Sequence, residues 1–372
     1  MKPIQPNDRT LILGGYGTFG QRIAAMLCQS GYPVIINGRD EAKAKQVQHR
    51  LQQSFPDAQV SVASFDVHTE LEQQLSVLQP TVVIHTCGPF QGQHTQVAET
   101  VIKAACHYID LADSRDYVNE LLALDDLAKK HQVTAITGAS TVPTLSSAAL
   151  AYLQDTFQIA VFDAVKIGIS PGQRSDRGLA TTKAVLSYLG KKLKPWPGDS
   201  GKNYGWQNTY LQPYPNISNR LMGNCEAPDL DCLSHHFKIK ALRFSAGMES
   251  KLLHLLIWFC SWLVRLGLPL NLKNQAARLL AFSRCFDVLG TADGGMHVAI
   301  EGTDTSGHRV RKTWFIEAFE NHGPQIPAVP AALLVGKILS DSLPQGAHTS
   351  INLVNLSEYL TALKGYQVKT CV

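Results

Sequence analysis

The chain has 372 residues, enough for two domains with separate cores, and combines 45% hydrophobic with only 17% charged residues at a net charge of +4. That charge is spread thinly and forms no Lys/Arg cluster, which argues against a nucleic-acid partner. The eight cysteines (28, 87, 106, 225, 232, 260, 285 and 371) form no Cys-x-x-Cys pair. With no signal peptide at Met1-Lys2-Pro3-Ile4, reduced thiols in a cytoplasmic protein are expected. No metal site is expected either: His235-His236 is adjacent rather than one helical turn apart, and it reads as the start of a strand.

The first element is a short apolar strand, Thr10-Leu11-Ile12-Leu13, followed by Gly15, Gly17 and Gly20 in G-x-G-x-x-G spacing. A helical run, Gln21 to Leu27, and a second apolar strand, Pro33 to Ile36, complete a strand, glycine turn, helix, strand unit. In that context the pattern predicts a dinucleotide site. Gly15 is expected to make the tight turn, Gly17 to admit the pyrophosphate, and Gly20 to let the helix pack close. The unpaired N–H groups at the helix start would face the phosphates. The second strand ends in Asn37-Gly38-Arg39, where NAD enzymes usually carry Asp or Glu for the ribose 2′-OH. A guanidinium pairs with a 2′-phosphate that a carboxylate would repel, so NADP is favoured over NAD. Asp40 reads as the N-cap of a helix from Glu41 to Leu51.

Residues 58–64 predict a third strand, followed by Asp66-Val67; Asp66 either meets the adenine amino group or caps a helix over 70–78. A fourth strand, Thr81 to Thr86, runs into Cys87-Gly88-Pro89-Phe90, a loop placed to lie under the nicotinamide ribose. The apolar flanks of Cys87 favour a neutral thiol over a nucleophile. A helix over 95–105 follows. The fifth strand, His107 to Asp113, carries acids at its carboxyl end, and a helix over 118–130 leads to a sixth strand, Gln132 to Thr137, closing with Ser140-Thr141-Val142-Pro143.

These segments, in this order, resemble the saccharopine dehydrogenase-like family. The later landmarks Tyr204-Gly205-Trp206, Glu226-Ala227-Pro228-Asp229-Leu230, Gly294-Gly295-Met296-His297-Val298 and Gly323-Pro324-Gln325-Ile326-Pro327 resemble it too. The resemblance implies a Rossmann-type doubly wound parallel sheet plus a second α/β domain with a mainly antiparallel sheet. It implies cofactor contacts from Gly15-Tyr16-Gly17-Thr18-Phe19-Gly20, Asn37-Gly38-Arg39, Asp66-Val67 and Cys87-Gly88-Pro89. It further implies substrate contacts from Phe90 and Ala112-Asp113. Here the chain departs from the saccharopine reductases, since Phe90 and Asp113 stand where hydroxyl-bearing residues are expected. A carboxylate there suits a dicarboxylate amino acid poorly, so the family's redox chemistry is expected with another substrate, amino-acid-derived or lipid-like.

The first domain is expected over 1–143, with 328–372 returning to it, and the substrate and dimerisation domain over 144–327. In the latter, 161–169, 236–244, 295–302 and 309–319 read as strands. The aperiodic run 191–215 reads as a long functional loop. Leu252 to Leu270 is apolar all round and too short to span a bilayer, with Arg265 and Pro269 interrupting it. It reads as a core or homodimer-interface helix, with a membrane-surface helix as the alternative. Acid/base candidates are Asp113 first, then Tyr108, Asp110 and His297; for Tyr108 and Asp110 burial within the strand or capping of it is the favoured reading. Arg174 and Lys183 are candidates to hold an anionic substrate. Two rivals stand beside the oxidoreductase reading. One is a short-chain dehydrogenase/reductase, from Tyr188-x-x-x-Lys192 with Ser175 upstream. The other is a non-catalytic NADP-binding protein associated with a membrane surface.

Overall fold

The computed structural model describes residues 8–372 apart from 177, 200, 269–271 and 273. Met1-Lys2-Pro3-Ile4, Pro269 and Leu270 therefore lie outside the described residues. The chain divides into two compact units, residues 1–144 with 325–354, and residues 145–324 with 355–372.

The first unit is built on six four-residue strands: β1 (Thr10–Leu13), β2 (Val34–Asn37), β3 (Val60–Ala63), β4 (Val82–His85), β5 (His107–Asp110) and β6 (Thr134–Thr137). β1, β2, β4 and β6 are buried at every position, as strands covered on both faces must be, which explains why their sequences run apolar without alternation. A late strand, Gly346–Thr349, joins β6, and the sheet order is Gly346–Thr349, β6, β5, β4, β1, β2, β3 with every neighbour parallel. The chain reverses direction of growth between β1 and β4, so ligands are expected at their carboxyl ends. Helix α1 (Gly20–Gln29) buries Ile23, Ala24 and Leu27, and α2 (Glu41–Ser54) buries Ala44, Val47 and Leu51, each at helical spacing.

The second unit holds a mixed sheet of β7 (Ile159–Ser170), β8 (Tyr210–Gln212), β9 (Arg220–Asn224), β10 (Ala241–Met248), β11 (Gly294–Asp304), β12 (Arg309–Ala318) and the C-terminal strand Val368–Cys371. The order is Val368–Cys371, β12, β11, β7, β10, β9, β8; only β7 and β10 pair in parallel.

Several expectations change. Only 325–354 joins the first unit; the helix Leu356–Ala362 and the last strand belong to the second, because Val368–Cys371 satisfies the outer edge of β12. His235 and His236 end a helix, Asp229–His236, rather than start a strand; Leu230 and Leu233 bury its inner face. The segment 191–215 is not a free loop. Trp206 within it is 2% exposed, packs with Leu186, Leu189 and Ala276, and donates its indole N–H to Val185 O at 3.1 Å. The helix Lys251–Arg265 is not fully buried either: Leu253, His254 and Ser261 face inward while Leu252, Leu255, Leu256 and Phe259 face water.

Candidate functional site

The glycine turn leaves β1 through Gly14, whose φ of +76° makes the tight turn expected of Gly15. A Cβ on Gly14 would also lie 2.9 Å from Thr86 Oγ1 and 3.0 Å from Cys87 Sγ, so the turn is pressed against the end of β4. Gly15 lies against Ile36, with its N–H donating to Asn37 O at 2.8 Å. Gly17 donates back to Gly14 O at 2.8 Å. Gly20 has the close-packing role expected of it, since a Cβ there would meet Gly14 O at 2.5 Å. Thr18 and Phe19 lead into α1, whose first turn carries no acid to oppose a phosphate. The Tyr16 ring lies on Gly38, where a Cβ would overlap its Cε1.

At the end of β2, Asn37 is buried, and its amide donates to Ala63 O and Phe65 O, both at 3.2 Å. It ties β2 to β3, which corrects the expectation that its side chain serves the ribose slot. Arg39 is exposed, with Nη1 3.9 Å from Asp66 Oδ2. Asp40 caps α2, accepting from Lys43 N–H at 3.1 Å and meeting Lys43 Nζ at 3.2 Å, which holds its carboxyl below the usual range. Asp66 closes a turn, accepting from His68 N–H at 2.9 Å; the helix it was expected to cap, Leu71–Leu78, has Glu70 at its N-cap position instead. Val67 is half-buried beside it.

Beyond β4, Thr86 Oγ1 donates to Leu13 O at 2.7 Å, joining the two strands at the reversal point. Gln93 holds the Cys87-Gly88-Pro89 loop by donating to Cys87 O at 2.8 Å and Pro89 O at 2.7 Å. Burial pushes the Cys87 thiol up to about 12, so it stays neutral. Phe90 does not line an open site: it is 4% exposed, edge-on to His85 and Tyr117 at 5.2 and 5.0 Å. Tyr108 is buried as well, its hydroxyl 2.8 Å from that of Tyr117 and 3.0 Å from His85 Nδ1, so it is a core tyrosine and not an acid/base group at the surface. Asp110 accepts from Ala112 N–H, Thr137 Oγ1 and Gly138 N–H, each at 2.9 Å, and burial raises its carboxyl to about 6. Its bonds link β5 to β6, and Ala112 is enclosed with it. Asp113 is half-buried and accepts from Gln91 Nε2 at 3.0 Å. Burial of its carboxylate raises its pKa, and the Gln91 bond opposes the rise.

His297, Arg174 and Lys183 belong to the second unit. His297 is buried, its Nδ1 3.0 Å from Tyr214 Oη and its Nε2 3.3 Å from Tyr210 Oη. Burial lowers its pKa to about 3, so it is a neutral core imidazole rather than a proton donor. Gly168 on β7 leaves room for this ring, since a Cβ there would lie 2.4 Å from Cε1. Arg174 is exposed and Lys183 half-buried. The Ser175, Tyr188, Lys192 constellation does not form. Tyr188 is the C-cap of the helix Leu179–Ser187, Lys192 lies past it in a bridge to Tyr204, and Ser175 donates to Ala292 O at 3.0 Å. Tyr188 and Lys192 are thus not one turn apart on a helix.

Four residues of this edge are not among the expected contacts: Gly14, Thr86, Gln91 and Gln93. The doubled Gly14-Gly15 is the signal for the first; the glutamines give none, because their role depends on carbonyls and carboxylates from other loops.

A parallel sheet ordered 3-2-1-4-5-6, with a glycine turn at its reversal point, defines a Rossmann-type dinucleotide-binding unit. Residues 10–136 match the saccharopine dehydrogenase NADP binding domain. No curated protein matches the chain. Among solved structures, a mutant of meso-dapdh with DAP, from Clostridium tetani E88, is 12% identical over 95% of this chain and 96% of that one, with a TM-score of 0.46. GenD2 from gentamicin A biosynthesis, in complex with NAD, is 13% identical over 98% of this chain and 93% of that one, with a TM-score of 0.44. A short-chain oxidoreductase from Pseudomonas aeruginosa PAO1 is 13% identical over 35% of this chain and 68% of its own, with a TM-score of 0.29. None of these assigns a role to a residue here.

Proposed function

We propose that the chain is an NADP-dependent oxidoreductase of the saccharopine dehydrogenase-like class. The observation that carries the cofactor preference is the end of β2. Arg39 extends into water, and the neighbouring acid, Asp40, is drawn into capping α2. The Asp66 carboxylate 3.9 Å away makes only a loose, exposed ion pair with this guanidinium, which a 2′-phosphate would displace. The turn from Gly15 through Gly20 would hold the pyrophosphate, Asp66-Val67 the adenine side, and Cys87-Gly88-Pro89 the nicotinamide ribose. The absence of an acid in the first turn of α1 fits that load.

Bound NADP(H) supplies or accepts the hydride. The protein's part is to orient the substrate and move one proton. Asp113 is the group proposed for the proton, because it follows the carboxyl end of β5, is only half-buried as a residue and has a raised pKa. Gln91 holds its Oδ1 and fixes the direction of the other oxygen. The same carboxylate disfavours a dicarboxylate amino acid. The proposed substrate is an amine or carbonyl compound of another kind, amino-acid-derived or lipid-like.

Calorimetry with NADPH and NADH on the wild type and Arg39→Ala tests the cofactor. The wild type is expected to prefer NADPH. The variant is expected to lose roughly 10–100-fold in NADPH affinity, with NADH nearly unchanged, the size of one charge-assisted phosphate contact. Equal losses for both nucleotides, or no binding of NADPH by the wild type, would overturn the assignment. Tight NADPH binding with no turnover across an amine and carbonyl panel would instead favour the non-catalytic reading.

A further inference from the structure

The helix Lys251–Arg265 has two apolar faces. Its inner face sends Ile257, Cys260 and Val264 onto the cluster of Leu186, Leu189, Trp206 and Ala276. The next helix, Ala276–Arg284, sends Leu279 onto the same cluster, so the two helices share one floor. On the opposite side, Leu252, Leu255, Leu256 and Phe259 recur at helical spacing and continue to Leu266 beyond the helix end. Leu252 is 65%, Phe259 53% and Leu266 73% exposed, and Phe282 of the second helix is 51% exposed. A helix face turned to water is ordinarily polar, and an apolar stripe of this extent marks a surface that meets something else.

The charges around the stripe say what it meets. From 251 to 284 the sequence has Lys or Arg at 251, 265, 273, 278 and 284 and neither Asp nor Glu. Lys251, Arg265, Arg278 and Arg284 are exposed. A two-fold dimer through this face would set the same basic patch against itself, and the acids at its two ends, Glu249 and Asp287, are already engaged by Thr291, Arg220 and Gln173. Anionic headgroups supply the missing charge. Trp258 and Trp262, half-buried with ring centroids 6.3 Å apart, belong to the residue type that settles at a membrane–water boundary. The helix has 15 residues, about 22 Å of length against a hydrocarbon core of about 30 Å. Among the described residues no helix is long and apolar enough to cross a membrane.

We propose that this face docks flat on an anionic lipid bilayer, with the stripe Leu252 to Leu266 entering the headgroup boundary and the flanking cations meeting the headgroups. The proposal is independent of the cofactor assignment. Co-flotation of the full chain with phosphatidylcholine vesicles, with and without phosphatidylglycerol, tests it. At low salt at least about tenfold more protein is expected to float with the anionic vesicles, given several interfacial cations. Leu255→Glu/Phe259→Glu is expected to abolish flotation at an unchanged melting temperature, because both side chains are exposed. Arg278→Glu/Arg284→Glu is expected to abolish the preference for anionic vesicles, and carries the test if the first variant melts early. Wild-type protein that stays at the bottom of the gradient overturns the proposal, as does undiminished flotation of both variants. A dimer by light scattering that Phe259→Glu turns into monomers, without flotation, also overturns it and assigns the face to a second copy.

Discussion

Asp113→Asn is expected to lower turnover by roughly two to four orders of magnitude while leaving NADPH affinity nearly unchanged, the usual range for removing a proton-transfer group. Asp113 accepts one hydrogen bond, from Gln91, and an asparagine keeps a carbonyl oxygen for that bond while removing the titrating function. Loop geometry should therefore survive, and only the proton step should fail. The measurement is single-turnover NADPH oxidation, or NADP reduction, with whichever amine or carbonyl compound the wild type accepts. A companion variant separates proton transfer from positioning. The Gln91 bond lowers the Asp113 pKa, so Gln91→Leu should move the limb of the pH–rate profile that reports Asp113 to higher pH. A variant Asp113→Asn with more than about a tenth of wild-type turnover would be too active for the proton role.

Asp229→Asn is expected to stabilise the protein at pH 8 and to have little effect near pH 4. Asp229 is fully buried in the second unit, and burial raises its carboxyl to about 7 although the Ser146 hydroxyl pulls the other way. An unfolded Asp titrates near 3.9. Below that value both states are protonated and the group is neutral to stability. Between about pH 4 and pH 7 the folded state retains a proton that the unfolded chain releases, so stability falls as pH rises. Above about pH 7 the folded carboxyl ionises as well and the loss levels off. At about 1.4 kcal/mol per pH unit the accumulated loss reaches a few kcal/mol, and the amide does not incur it. Urea unfolding of both proteins between pH 4 and pH 8 should show the gap widen through that window. Parallel pH profiles would mean that the carboxyl titrates normally in its buried place.

The first unit was largely readable because β1, β2, β4 and β6 are buried at every position, and a run such as Thr10-Leu11-Ile12-Leu13 before glycines has few other uses. The glycine spacing marked the turn after β1 but misassigned one role, since G-x-G-x-x-G does not say that Gly14, one residue earlier, takes the positive φ. Asp40 read correctly as a helix cap, because that follows from local spacing. Tyr108 is buried, as favoured from its strand, but its neighbours, like those of Phe90 and His297, were not readable. Whether a strand residue faces a ligand or a core depends on what packs across from it, here Tyr117 and His85 for the first two and Tyr210 with Tyr214 for the third. The helix over 229–236 was missed because its two leucines at i and i+3 are a short signal beside paired histidines. The C-terminal strand was missed because four residues, mostly exposed, carry almost no pattern of their own and form a strand only on the free edge of β12.

The strand Gly346–Thr349 has a consequence for how the protein is made. It completes the edge of β6, and Thr134 Oγ1 waits for Pro344 O across 210 residues of chain. During synthesis at about 5–20 residues per second, that edge stands unpaired for roughly 10–40 s while the whole second unit emerges. A nascent chain with an open parallel edge is a template for other strands. Truncation or stalling after the first 144 residues would thus leave a dinucleotide-binding sheet with a sticky border, and this chain depends on its late segment to close it.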